Sequence, residues 1–153
     1  MEYSIREVAK IIGSKSNLLR EDTITMLLTD SRTVSFPEQS LFFALRTKTN
    51  DGHKYIPELY KLRVRNFVVS EMPPSTDMYA DANFLLVKDP LRALQQLAAH
   101  HRKKFEIPVI GITGSNGKTI VKEFLYQLLH TEFNIVRSPR SFNSQLGVPL
   151  SVW

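Results

Sequence analysis

The stretch Thr113-Gly114-Ser115-Asn116-Gly117-Lys118-Thr119 constrains this chain more than any other. An apolar run, Pro108 to Ile112, leads into it. Apolar residues at helical spacing, Val121, Phe124, Leu125, Leu128 and Leu129, lead out. Strand, glycine-bearing loop and helix in that order form the setting of a phosphate-binding loop. The first N–H groups of a helix have no partner inside it, so with the loop amides they converge on an anion. Lys118 would add a point charge at the outer phosphates, and the Thr119 hydroxyl could ligate Mg²⁺. The general pattern G-x-x-x-x-G-K-[ST] asks for a glycine at position 112, where Ile112 stands. The stretch is therefore either a plain turn of Gly, Ser and Asn or a phosphate loop of a narrower type with its own spacing.

Composition narrows the classes. The 153 residues, 42% hydrophobic and 23% charged, suit one domain or two small ones. There are no cysteines, which excludes a disulfide framework, a Cys-based metal site and a thiol nucleophile. Met1 to Glu7 lacks the basic start and apolar stretch of a signal peptide, and no run reaches the length of a membrane span. A cytoplasmic protein without a membrane partner is expected. The net charge of +5 favours anionic partners without choosing among them. The densest basic cluster, His100-His101-Arg102-Lys103-Lys104, falls at a predicted helix end, where cations complement the helix dipole. A solvated helix end is expected there. With no stacking aromatics interleaved, a nucleic-acid patch is not. His100 and His101 are adjacent and cannot share one helix face as metal ligands.

The order of elements predicts an α/β chain in two parts. Ser4 and Glu7 form a capping-box pattern before a short helix that Gly13 ends. Thr23 to Thr29 and Leu41 to Leu45 read as strands, and Asn50-Asp51-Gly52 as a turn. Tyr55, Ile56, Leu59 and Tyr60 give a short helix. Asn66 to Ser70 and Phe84 to Val87 are two further strands. Asp89-Pro90 reads as an N-cap and first helical residue, opening a helix to about Lys104. Phe105 to Pro108 marks a boundary, giving parts 1–106 and 107–153. After it come a strand at 108–112, a helix at 118–130 and a strand at Asn134 to Val136. One such unit cannot bury both faces of a parallel sheet, so the second part reads as the truncated start of a domain.

The loop and its flanking segments resemble the Mur ligases, ATP-dependent amide-forming enzymes of peptidoglycan precursor synthesis. Their nucleotide loop reads T-G-[ST]-N-G-K-T, which Thr113 to Thr119 matches throughout, with the glycine at Gly114 rather than at 112. Asp30-Ser31-Arg32, Leu41-Phe42-Phe43-Ala44-Leu45 and Asp51-Gly52-His53 resemble the UDP-sugar-binding N-terminal domain of the branches adding the third and later peptide residues. Phe142-Asn143 with Gly147-Val148-Pro149-Leu150 is similar to a substrate-contacting loop and the helix start after it. Lys122-Glu123 resembles the branch that adds D-alanyl-D-alanine, in some bacteria fused to an alanine racemase. The branch adding the third residue is the alternative. Four positions depart from the pattern: Ile120 replaces a threonine, Thr47 a glycine, and Ser141 and Ser144 asparagines.

The resemblance implies a small N-terminal α/β UDP-sugar-binding domain followed by the beginning of a P-loop ATPase domain with a parallel sheet. It implies ATP and Mg²⁺ as cofactors, and UDP-MurNAc-peptide and D-Ala-D-Ala as substrates. Gly114, Ser115, Asn116, Gly117, Lys118 and Thr119 would hold ATP, Lys118 would serve catalysis by stabilising charge on the β–γ bridge, and Thr119 would hold Mg²⁺. Ser31, Arg32, His53 and Asn143 are the candidates for substrate contact. The family's remaining catalytic groups would lie beyond Trp153, so the chain alone is expected to bind and not to make product. Two rivals remain: another P-loop nucleotide-binding protein, and a non-catalytic UDP-sugar-binding module.

Overall fold

The computed structural model describes residues 2–16, 18–139, 142 and 144–153. The chain divides into two compact units, 1–97 and 98–153.

The first unit is built on a parallel sheet. Strand β1 (Tyr3–Ser4) leads directly into helix α1 (Ile5–Ile11), and the expected capping box is present. Glu7 N–H donates to Ser4 Oγ at 3.1 Å, and Ser4 N–H donates to the Glu7 carboxylate at 3.3 Å. The extended segment expected at 23–29 changes partners partway. Its first part, β2 (Thr23–Ile24), runs antiparallel to β1, and its second, β3 (Met26–Leu28), runs parallel to β4 (Ser40–Phe43). Helix α2 (Ile56–Lys61) follows a 3₁₀ turn at Gly52–Tyr55 and returns the chain to β5 (Asn66–Val69). A loop with a 3₁₀ turn at Thr76–Tyr79 leads to β6 (Asn83–Leu86). The strand order is β3-β4-β5-β6, all parallel.

Parallel strands covered on both faces read as continuous apolar runs, and β4 and β5 are buried at every residue. Alternate side chains serve opposite faces. Phe42, Phe67, Val69 and Phe84 join Ile56 and Leu59 of α2 in one core. Within it the Phe67 and Phe84 rings stack at 5.3 Å, and Phe42 meets Phe67 edge-on at 6.4 Å. Leu41, Phe43, Val68 and Leu85 alternate with them and are as fully buried. Each such side chain contributes about 1.5–3 kcal/mol of transfer free energy.

Helix α3 (Pro90–Arg102) begins where Asp89 Oδ1 accepts from the N–H groups of Leu91 and Arg92. At its far end His100, Lys103 and Lys104 are exposed, as expected of a solvated basic cluster, and one member departs. His101 is buried, because it continues the apolar stripe of Leu94, Leu97 and Ala98 at helical spacing. Its ring packs on Phe105 at 5.2 Å and Trp153 at 4.9 Å, and burial pushes its pKa down. The Arg102 guanidinium donates to the carbonyls of Phe105 and Ile107 and so caps the turn that follows.

In the second unit, α4 (Lys118–Leu129) forms as expected, and α5 (Gly147–Val152) follows near the chain end. The strands expected at 108–112 and 134–136 are absent. Both segments lack a ladder partner among the described residues, and Val109, Ile110 and Val136 are 66%, 65% and 85% exposed. A strand needs a neighbour for its N–H and C=O groups, and apolar sequence alone supplies none.

Candidate functional site

The 113–119 loop has the backbone an anion cradle requires. Gly114 and Gly117 adopt φ of 141° and 78°, values that a side chain would disfavour. Gly117 is the N-cap of α4 and supplies no side chain to its first N–H groups. Lys118 folds back, its ammonium donating to the carbonyls of Gly114 and Ser115. Its single positive charge thus lies against the loop backbone. The residues present suit a phosphate chain: glycines allow close approach, the helix start supplies donors, and Lys118 and Thr119 adjoin it.

Lys122 and Glu123, just beyond the loop, bind the segment after Val136 to α4. Lys122 Nζ donates to Ser138 O at 2.9 Å, Arg137 pairs with Glu123, and the Arg137 guanidinium lies 3.9 Å from the Tyr126 ring centre. At the start of α5, Ser144 Oγ accepts from Gly147 N–H at 2.9 Å. Asn143 lies outside the described residues.

In the first unit the parallel sheet gathers the carboxyl ends of its strands along one edge, where open α/β sheets bind ligands. Ser31 and Arg32 form a 3₁₀ turn just after β3, capped by Asp30, whose carboxylate accepts from Arg32 N–H at 3.0 Å. The same carboxylate takes a fork from the guanidinium, Nε at 2.9 Å and Nη2 at 2.5 Å. These bonds, side chain first and backbone second, hold the Asp30 carboxyl down at about 2. Arg32 is 86% exposed and oriented by one carboxylate.

His53 arrives at this edge by a second route. Beyond β4, Arg46 and Asp51 face each other across a tight turn in which Thr47 N–H donates to Asn50 O at 2.8 Å. Gly52 then lies against the strand end, where a Cβ would stand 2.7 Å from Leu45 N. Asp51 Oδ1 accepts from both His53 N–H and the His53 ring nitrogen Nδ1, at 3.0 and 2.7 Å. Asp51 Oδ2 accepts from Arg46 Nε and Nη2, and Nη2 also reaches Glu71 at 2.5 Å. Burial works to raise the Asp51 carboxyl, but the bonds from His53 and Arg46 outweigh it and hold it well below the usual range. His53 and Glu71, with Ile56, Pro57, Met72 and Tyr79, line a cavity of about 140 Å³.

Sequence reading pointed to Ser31, Arg32 and His53 but passed over Arg46, Ser70 and Glu71. Asp51, quoted beside His53, is the shared acceptor of the cluster. Two signals were available: an aspartate two residues before a histidine suits an Asx turn, and Ser70 and Glu71 directly follow an apolar strand. Asp51, His53 and Glu71 bring three ligand-type atoms within 4.8 Å of one another, yet Arg46 already neutralises both carboxylates there. No helix among the described residues is long and apolar enough to cross a membrane.

Residues 23–102 match the family model described as Mur ligase family, catalytic domain. A UDP-N-acetylmuramoyl-tripeptide–D-alanyl-D-alanine ligase from Synechocystis is 38% identical over 136 residues, 89% of this chain and 29% of that protein. A crystal structure of MurF from Acinetobacter baumannii superposes with a TM-score of 0.85 at 25% identity, covering 99% of this chain and 33% of that one. The MurF ligase of Thermotoga maritima, solved in complex with ADP, gives a TM-score of 0.71 at 29% identity, over 83% of this chain and 28% of that one. The chain thus spans about a third of the length of its relatives.

Proposed function

The chain belongs to the Mur ligase family, and from that premise we propose that it serves an ATP-dependent ligase adding D-Ala-D-Ala to UDP-MurNAc-tripeptide during peptidoglycan precursor synthesis in the cytoplasm. Residues 1–106 bind the UDP-MurNAc-peptide, and residues 107–153 begin the ATP-binding domain. The observation that carries this reading is the loop at 113–119, with Gly117 left-handed at the start of α4 and the Lys118 ammonium against the loop carbonyls.

ATP, when bound with Mg²⁺, supplies the phosphoryl group that activates the peptide carboxylate as an acyl phosphate for attack by the D-Ala-D-Ala amine. The part of this chain is positioning and electrostatics. The amides of Asn116 to Thr119 hold phosphate oxygens, and Gly114, Ser115 and Gly117 shape the cradle. Lys118 releases its bonds to the Gly114 and Ser115 carbonyls and turns its charge to the β–γ bridge, where it acts in catalysis. The Thr119 hydroxyl would hold Mg²⁺. Ser31, Arg32 and Asn143 contact the UDP-sugar peptide, and His53 stands at its edge.

The 153-residue chain binds both ligands and does not form the amide bond. A competition measurement tests the assignment: ATP should displace a fluorescent adenine nucleotide and GTP should not, while UDP-MurNAc-tripeptide should slow amide exchange at the sheet edge of residues 1–106. Equal displacement by GTP, with no protection by the UDP-sugar, would favour an unrelated P-loop protein.

A further inference from the structure

The cluster beyond β4 and β5 forms a closed ring of contacts. Ser70 N–H donates to His53 Nε2 at 3.1 Å, with Ser70 Oγ 3.3 Å from the same nitrogen. A backbone N–H can only donate, so Nε2 carries no proton and Nδ1 must bear it. The Nδ1 proton goes to Asp51 Oδ1 at 2.7 Å. Asp51 Oδ2 accepts from Arg46, Arg46 Nη2 also donates to Glu71 Oε1, and Glu71 is joined to Ser70 by the chain itself. With both nitrogens used and the side chain 12% exposed, the imidazole has no nitrogen left to offer a ligand. Arg46 differs. It is 49% exposed, and among the described residues its Nη1 makes no hydrogen bond.

We propose that His53 is a positioning residue: its neutral ring, protonated on Nδ1, ties the Asp51 turn to the end of β5 and so aims Arg46 Nη1 at an oxygen of the UDP-sugar. This assignment rests on the function proposed above. It places His53 at the substrate edge through another residue rather than by its own contact, and it adds Arg46 as the group that touches substrate. Gly52 fits the same role, since its close approach to Leu45 sets the depth at which His53 enters the cluster.

The test is a double-mutant cycle read as affinity of the chain for UDP-MurNAc-tripeptide, with affinity for ATP measured alongside. Arg46→Ala and His53→Ala should each weaken UDP-sugar binding about tenfold, and the double variant should be no weaker than Arg46→Ala alone. ATP affinity should not change. His53→Asn keeps a donor for Asp51 while losing the acceptor for Ser70 N–H. It should fall between wild type and His53→Ala, with faster exchange at the Ser70 amide, and it serves if the alanine variant does not fold. Nitrogen NMR of the wild type should report the Nδ1–H tautomer. Additive losses, an unaffected His53→Asn variant, or the Nε2–H tautomer would each overturn the positioning role while leaving the proposed function in place. A wild-type chain that binds no UDP-sugar would overturn both.

Discussion

Asn83 donates from its side-chain amide to Asn66 Oδ1 at 2.8 Å, linking the opposed first residues of β5 and β6 inside the fold. Asn83 Oδ1 accepts from the N–H groups of Leu19 and Arg20, and Asn66 donates to Asp22 at 2.9 Å. Two buried amides thus fasten the incoming 19–22 segment to the amino end of the sheet. Replacing Asn83 with leucine strands two backbone donors and the Asn66 oxygen, costing about 3 kcal/mol. Urea unfolding followed at the sheet should show this, with nucleotide affinity unchanged.

Gly52→Ala places a methyl 2.7 Å from Leu45 N and 2.9 Å from Ala44 C, both backbone atoms that cannot rotate away. The turn must shift, at a cost of about 1–3 kcal/mol. Thermal unfolding should report the loss, and UDP-sugar affinity should fall with it because Arg46 and His53 lie on either side.

Asp30 gives the chain a pH dependence of defined sign. Its folded pKa lies below the unfolded value, so its stabilisation is complete above the ordinary 3.8 and is lost as pH falls through about 2. Asp30→Asn should therefore be less stable than wild type above that window, and the two should converge at its acidic end. Exposure of the Arg32 partner keeps the difference small. Melting temperatures across the window check it.

Local chemistry explains what the sequence made legible. The Ser4–Glu7 capping box and the Asp89 cap depend on near neighbours, and both formed, while the apolar runs of β4, β5 and β6 became strands because each found a parallel partner. The break at Thr25 depends on partners: its N–H donates to Gln39 O, while the residues before and after pair with β1 and β4. The expected strand at 108–112 has helix-proximal apolar sequence but no ladder partner among the described residues. His101 has basic neighbours in sequence but an apolar phase on α3, and the phase decides its burial. At the candidate site, the loop glycines were readable from their pattern. The Arg46–Asp51–His53–Ser70 ring required the fold to bring two strand ends together.

Calorimetric titration of MgATP into wild type and Lys118→Ala tests whether the 113–119 loop binds ATP through Lys118. Among the described residues Lys118 bonds only to exposed loop carbonyls, so the variant should keep its melting temperature while losing about a hundredfold or more in affinity, on the order of 3 kcal/mol for a charge-assisted phosphate contact. Equal MgATP binding by the two proteins, or none by the wild type, would contradict the account.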